Sequence, residues 1–342
     1  MAILNTAMTQ FENISRGSDP MNLDKIRNPI LFQGNLKKRQ YFEGWYFKQV
    51  SDDEKTVLSL IPGISLDGEK SHAFVQYIFV HREDDTHKVM KTGYIRYPLH
   101  DFEVQDEPFL LKIGENVFTR TLVIVKLKDD NMDIQGKIAL GLHQGAKKTF
   151  LEPSIMGIFA YIPKMECYHG LVSMTHRLNG TLKINGSDIS FENGKGYIEK
   201  DWGTSFPKDY IWIQSNHFSN PTTSLFFSIA HIPFHLASFR GFICNLVIDG
   251  KEYRFASYNR SKVHVKHLSD SAMRIVLENK KAKLSIDATI ENAGNLIAPV
   301  RGSMKKVIKE GLSGVVTIDL MDKGTGTTYS DRGIMAGIEI VR

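Results

Sequence analysis

From about Ile30 onward, apolar and polar positions alternate in short segments separated by turn residues, the period-2 pattern of half-buried β-strands. His72–His81, Thr121–Leu127, Thr181–Asn185, Gly241–Ile248 and Val315–Leu320 are strand-length, rich in β-branched or aromatic residues, and bounded by Gly, Asp or Asn. Asn185-Gly186, Asn193-Gly194 and Asp249-Gly250 carry the chemistry of tight hairpin turns. A sustained 3.6-residue period is nearly absent. The best helical candidate is Ser303–Glu310, opened by a serine and closed by Gly311. The pattern predicts an all-β sandwich or barrel with at most short helices, not alternating βαβ units.

A chain of 342 residues exceeds the usual span of one core, so length favours two domains. Residues 1–21 are polar and patternless and read as a flexible leader; the remainder divides into 22–190 and 191–342. With 42% hydrophobic and 24% charged residues, disordered, collagen-like and coiled-coil classes are excluded. Two cysteines, Cys167 and Cys244, are too few for a disulfide framework or a cysteine-rich metal site. The net charge of +5 is spread as isolated pairs such as Lys147-Lys148, which argues against nucleic acid and leaves room for peripheral contact with anionic lipid. Leu225–Phe239 is interrupted by His231, Pro233 and His235 and is shorter than the roughly 20 residues of a membrane-spanning helix. No signal peptide is legible, and the expected location is cytoplasmic. No Gly-rich phosphate loop or nucleophile elbow is present, and Pro233 argues against a helical metal site at His231 and His235.

Two segments depart from this plain pattern. In Tyr41–Lys48, read as a strand, Glu43, Trp45, Phe47 and Gln49 share one face, with Tyr46, Lys48 and Val50 on the other. A carboxylate among large aromatics is costly unless paired or protonated, so Glu43 either pairs with a cation at a barrel end or serves as an acid. In Gly196–Pro207, Tyr197, Glu199 and Asp201 share a face; on the following strand Trp212, Gln214, Asn216 and Phe218 do so. Together they suggest acids, indoles and carboxamides around an apolar cavity. Core packing of Trp202 and Trp212, with Lys200 as a surface charge, is the plainer alternative. The recurrence of a carboxylate beside a tryptophan suggests a duplicated barrel.

Phe42–Lys48, Tyr197–Pro207, Gln214–Phe218, and Ala298–Met304 followed by Gly311–Gly314 together resemble the tocopherol cyclase family, over about Ile26 to Arg342. The resemblance implies two tandem lipocalin-like antiparallel β-barrels, related to carotenoid hydratase-like and AttH-like proteins and to some fungal lipocalin-like pericyclases. It also implies chemistry without a cofactor or metal. In the plant and cyanobacterial cyclases a prenyl double bond is protonated and a ring phenol oxygen closes on the cation; in carotenoid hydratases water captures it. The implied substrate is a hydrophobic small molecule, a prenylated quinol or polyene. A transit-peptide signature rich in Arg and Ser is missing, so tocopherol itself is not implied.

Protonating an alkene needs a carboxylic acid kept neutral in a dry cavity, with aromatic faces to stabilise the cation. Asp201 is the first candidate donor, with Glu43 and Glu199 behind it. Trp45, Tyr197, Trp202 and Trp212 would line the cavity, and Gln214, Asn216, His217 and Gln76 would orient a phenol or water. His72 joins them because it shares a strand face with Gln76. Lys48 and Lys200 are expected to pair with Glu43, Glu199 or Asp201, which would lower that acid's pKa. The rival readings are a non-catalytic carrier or sensor of a hydrophobic molecule, and a pericyclase without an essential acid. A buried acid of raised pKa lining the cavity favours the enzyme; acids all salt-bridged outside it favour the carrier.

Overall fold

The computed structural model describes residues 23–83, 87–234, 237–291 and 293–342. The expected leader and His235 lie outside them. After a five-residue helix, α1 (Leu23–Arg27), the chain is built almost wholly of antiparallel strands. Twelve form the first sheet: β1 (Tyr41–Val50), β2 (Thr56–Leu66), β3 (His72–Arg82), β4 (Lys88–Tyr97), β5 (Phe102–Gln105), β6 (Leu110–Ile113), β7 (Asn116–Thr119), β8 (Leu122–Lys128), β9 (Asp133–Leu140), β10 (Cys167–Ile184), β11 (Ser187–Ser190) and β12 (Lys195–Gly203). Eleven form the second: β13 (Tyr210–Ser215), β14 (His217–Phe218), β15 (Ser224–Phe234), β16 (Ala237–Ile248), β17 (Lys251–Ala256), β18 (Lys262–His267), β19 (Ala272–Glu278), β20 (Ala282–Thr289), β21 (Gly294–Val300), β22 (Ser303–Asp322) and β23 (Thr328–Val341).

The first sheet runs β4-β3-β2-β1-β12-β10-β9-β8-β7-β6-β5 and the second β17-β16-β15-β13-β23-β22-β20-β19-β18. In each, the two edge strands follow one another in the chain; one sheet comes close to closing as a barrel, while the other stays open. The all-β expectation holds. Alternation supplies each interior: on β19, Met273, Ile275 and Leu277 point into the second core, with Arg274 outside. Hairpins close as expected at Asn185-Gly186 (φ 50° and 87°) and Asp249-Gly250 (φ 50° and 72°).

One expectation is corrected. Ser303–Glu310 is not helical but the start of β22, paired with β21 from Gly294↔Glu310 to Val300↔Ser303. Its Val307 and Ile308 are β-branched, and long-range pairing outweighs a weak local helix signal. The chain passes from the first sheet to the second between Gly203 and Tyr210, since β12 inserts between β1 and β10, with Phe47↔Ile198 and Leu171↔Glu199 in register.

A third apolar cluster lies between the sheets, where the outer face of β1, β10 and β12 (Tyr46, Val50, Leu171, Met174, Tyr197) meets Trp212, Phe226, Leu312 and Met335 of the second. Strand β1 is therefore buried on both faces. Trp45 and Phe47 fill the first barrel while Tyr46 and Val50 face the junction, as the strand reading placed them.

A turn of the second sheet clamps this junction. Ser65 Oγ donates to the Gly302 carbonyl at 2.6 Å, Gly302 N donates to Thr204 O at 2.6 Å, and Arg301 N donates to Ser205 Oγ at 2.7 Å. Gly302 has φ 79°, and a Cβ there would stand 2.4–2.5 Å from the backbone of Gln40 and Tyr41. Gly302→Ala is expected to lower unfolding free energy by about 1–3 kcal/mol, read from the denaturant midpoint. An unchanged midpoint would show that the turn does not clamp the sheets.

Candidate functional site

The junction holds a cavity of about 180 Å³. Its wall is largely apolar and aromatic, with Phe42, Tyr46, Phe74, Phe206, Trp212 and Phe242 among the lining residues. Set into this wall are four acids, Glu199, Asp201, Glu310 and Glu339, and one histidine, His169. Glu199 and Asp201 come from one face of β12, as alternation requires. His169 stands opposite Asp201 on β10, and Glu310 stands opposite Glu339 across β22 and β23.

Glu199 Oε2 accepts from the Tyr197 hydroxyl and from Trp212 Nε1 at 3.0 Å. His169 bridges the two β12 acids: its Nδ1 lies 2.8 Å from Asp201 Oδ1 and its Nε2 3.6 Å from Glu199 Oε2. The imidazole also stacks on Phe226, with centroids 4.8 Å apart. Tyr46 donates its hydroxyl to Glu310 Oε1 at 2.5 Å, and Tyr210 donates to Glu339 Oε2 at 2.6 Å. Glu310 Oε2 is buried with no donor, while the neighbouring Glu339 carboxyl is in hydrogen-bonding reach. Two carboxyls can share a hydrogen bond only if one keeps its proton.

Burial governs the acidity of the group. It pushes the Glu199 carboxyl up to about 7 against the opposing pull of His169, and the Glu310 carboxyl up to about 7 against the Tyr46 hydrogen bond and Lys48. Glu339 is raised further, by burial and then by the adjacent Glu310. For His169, burial favours the neutral ring, but Asp201 and Glu199 outweigh it and lift the imidazolium to about 9. His169, Glu199 and Asp201 place a nitrogen and two carboxylate oxygens within 4.8 Å of one another, a spacing that a metal ion also tolerates. An imidazolium between two carboxyls accounts for it without one.

The cavity thus collects Glu199, Asp201, Trp212 and Gln76 from the residues singled out in the sequence. Gln76 is held at both ends by the backbone of Ile297 and so fastens the sheets at the cavity wall. Glu43 lies away from the cavity and is fully buried and satisfied. It is salt-bridged to Lys200 and accepts from Gln33 N at 2.8 Å, Gly34 N at 3.0 Å and the Tyr41 hydroxyl. Lys200 is therefore no surface charge. Burial lowers its pKa to about 8 despite Glu43, and it sits over the rings of Trp45 and Trp202.

Trp45 belongs to the first barrel's interior, its Nε1 bonded to Ile30 O at 2.7 Å, and Trp202 stacks on Tyr168. Tyr197 stands behind Glu199. Gln214 accepts from Lys48 at 2.8 Å, and Lys48 also donates to Met335 O at 2.6 Å, so Lys48 contacts no carboxylate. Asn216 donates to Gly196 O at 2.9 Å at a break after β13, beyond which Phe218 packs in the second barrel; His217 is buried beside Asn216, off the cavity. His72 is held by Tyr94 and the Lys70 carbonyl, away from the cavity wall. The residues that sequence reasoning passed over are His169, Glu310, Glu339, Tyr46 and Tyr210. For Glu339 the available signal was a single acid in an apolar run, Gly337-Ile-Glu-Ile-Val341; Glu310, beside Lys309 in a lysine-rich stretch, carried none.

Fold and site together define a two-sheet, lipocalin-like protein with an acid-lined apolar cavity between the sheets. Residues 140–340 match the family described as tocopherol cyclase-like, and the chain belongs to that family. The chloroplastic tocopherol cyclase of Zea mays is 34% identical over 65 residues, covering 19% of this chain and 14% of that protein. An Oryza sativa subsp. japonica protein named "Probable tocopherol cyclase, chloroplastic" is 32% identical over 71 residues, 21% of this chain and 15% of its own length. The matches thus span about a seventh of these relatives. Among solved structures, an AttH-designated protein of Nitrosomonas europaea superposes with a TM-score of 0.54 at 12% identity, covering 90% of this chain and 94% of that one. CghA with Sch210972 gives 0.54 at 10% identity, with 88% of each chain covered. Kievitone hydratase from Nectria haematococca gives 0.50 at 10% identity, again over 88% of each. These three establish the fold.

The raised pKa values set a pH dependence of stability. A carboxyl raised from 4.5 to about 7 keeps, in the folded state, a proton that the unfolded chain has released, so its contribution falls as pH rises across that interval. His169, raised from 6.5 to about 9, contributes fully below 6.5 and loses its contribution as pH rises through 9. Lys48, Lys200, His143, His176 and His217 are lowered by burial and act with the opposite sign, so the slope is read as a difference: between about pH 4.5 and 7 the melting temperature of Glu199→Gln should fall less with rising pH than that of the unmodified chain. Parallel profiles for the two chains would contradict the Glu199 assignment.

Proposed function

We propose that the protein is a cofactor-independent enzyme that protonates a carbon–carbon double bond of an isoprenoid-type substrate in this cavity and lets an oxygen nucleophile capture the cation. The observation that carries the reading is Glu199, a carboxyl held protonated near neutral pH by burial in an apolar, aromatic wall. The donor we assign is Glu199 rather than Asp201, whose carboxylate is occupied by His169, or Glu43, which is tied to Lys200 outside the cavity. The family's curated relatives are named cyclases and one fold neighbour is named a hydratase, the two outcomes of such a capture.

The chemistry balances without a net proton. Tyr197 and Trp212 occupy Glu199 Oε2, leaving Oε1 to carry the proton that passes to an alkene carbon as a C–H bond forms. The resulting carboxylate is stabilised by those two donors and by the His169 imidazolium, while the cation lies among the faces of Tyr46, Tyr168 and Trp212. A ring phenol or water forms the C–O bond, and its released proton returns to Glu199. A carrier would use the apolar wall equally well, but the buried Glu310 and Glu339 carboxyls, which no lysine or arginine contacts among the described residues, would only cost it stability.

A panel of prenylated quinols and polyenes incubated in heavy water tests the proposal. The expected product carries one solvent-derived deuterium on carbon, and Glu199→Gln lowers kcat by about 10²–10⁴-fold while substrate still quenches tryptophan fluorescence. Stoichiometric binding without turnover would replace the enzyme by a carrier. Full turnover by Glu199→Gln would remove the acid and favour a pericyclase.

A further inference from the structure

Phe150 and Leu151 are 77% and 67% exposed, at the tip of a tight turn where glycine, asparagine or proline is the usual choice. The turn is built rather than loose. Thr149 N donates to Glu152 O at 2.9 Å, and Glu152 N donates back to Thr149 Oγ1 at 3.0 Å. Tyr161 holds the Phe150 carbonyl at 2.9 Å, and Arg254 grips Glu152 at 2.8 Å and the Lys147 carbonyl at 2.7 Å. Two large apolar side chains are thus held in water by a fixed base.

The surroundings are cationic. Lys147 and Lys148 precede the tip, Lys148 donates to the Arg27 carbonyl, and the charges acting on Lys148 are those of Arg27 and Arg120, both positive. The nearby acids Glu152 and Glu252 are both taken by Arg254. The turn also leads directly to the cavity: the chain that follows it supplies Met156, Phe159 and Met165 to the lining, and half-exposed Phe159 stacks on Phe239 at 5.9 Å.

We propose that the Phe150-Leu151 turn is a membrane-docking element that inserts into an anionic lipid surface and brings the cavity against the bilayer. Apolar side chains ringed by lysine and arginine fit the headgroup boundary, where burial of the tip and attraction to lipid phosphates act together. A cavity lined by aromatic side chains takes an occupant that partitions into lipid, and docking opens a route that avoids water. The proposal is independent of the reaction performed in the cavity.

The test is sedimentation of the full chain with vesicles of phosphatidylcholine, with and without phosphatidylserine, and no substrate. The expected result is binding to the anionic vesicles that weakens as salt is raised, since surface charge is screened. A Phe150→Ser, Leu151→Ser double variant should bind roughly tenfold or more weakly, with an unchanged melting temperature because both side chains are already in water. Absence of vesicle binding by the unmodified chain, or equal binding by the variant, would overturn the proposal. So would a dimer in light scattering that the variant dissolves without any vesicle binding, since the tip would then cover a second copy of the chain.

Discussion

Taking carboxyl groups out of water between two sheets is the constraint on which this structure turns. An ionised carboxylate in such a place costs several kcal/mol unless a cation or several donors meet it. The chain uses two solutions. At Glu43 the carboxyl is met by Lys200, two backbone N–H groups and a tyrosine hydroxyl. At Glu199, Glu310 and Glu339 no lysine or arginine makes contact among the described residues, tyrosine and tryptophan supply one or two donors each, His169 stands beside Glu199, and burial favours the protonated carboxyl. The first arrangement is closed and structural; the second leaves a proton within reach of the cavity.

The fold follows from the same junction. Because each curled sheet fills its own interior, the shared cavity has to lie between outer faces, and strands such as β1 and β12 are buried on both sides. That is why successive residues of Tyr41–Val50 serve different ends. Trp45 and Phe47 pack the barrel, while Tyr46 and Lys48 serve the junction. Lys48, lowered to about 7 by burial despite the pull of Glu310 and Glu199, is held by Gln214 and a carbonyl rather than by an acid. Its partial charge therefore moderates the acid cluster without discharging it.

The strands, the hairpins at Asn185-Gly186 and Asp249-Gly250, and the two-faced character of Tyr41–Val50 were legible because they depend on local alternation and turn chemistry. So was the shared face of Tyr197, Glu199 and Asp201. What alternation cannot supply is which face meets which. Trp45 and Trp202, next to acids in sequence, turn into or beside the first barrel, and Ser303–Glu310 is made a strand by its partner β21. The Glu310–Glu339 pair arises from register between distant segments, and His169 reaches Asp201 across two strands separated by 32 positions. Each is isolated in the sequence, and only long-range pairing makes it part of a site.

The central claim is that carboxyl groups in this cavity keep their protons near neutral pH, and infrared titration of the protein in heavy water reads it directly. The account predicts a protonated-carboxyl C=O band that persists to about pH 7 and loses intensity in Glu199→Gln and in Glu310→Gln, since carboxyls raised by burial titrate there rather than near their ordinary value. A spectrum in which every carboxyl is ionised above about pH 5, as for solvated side chains, would contradict it.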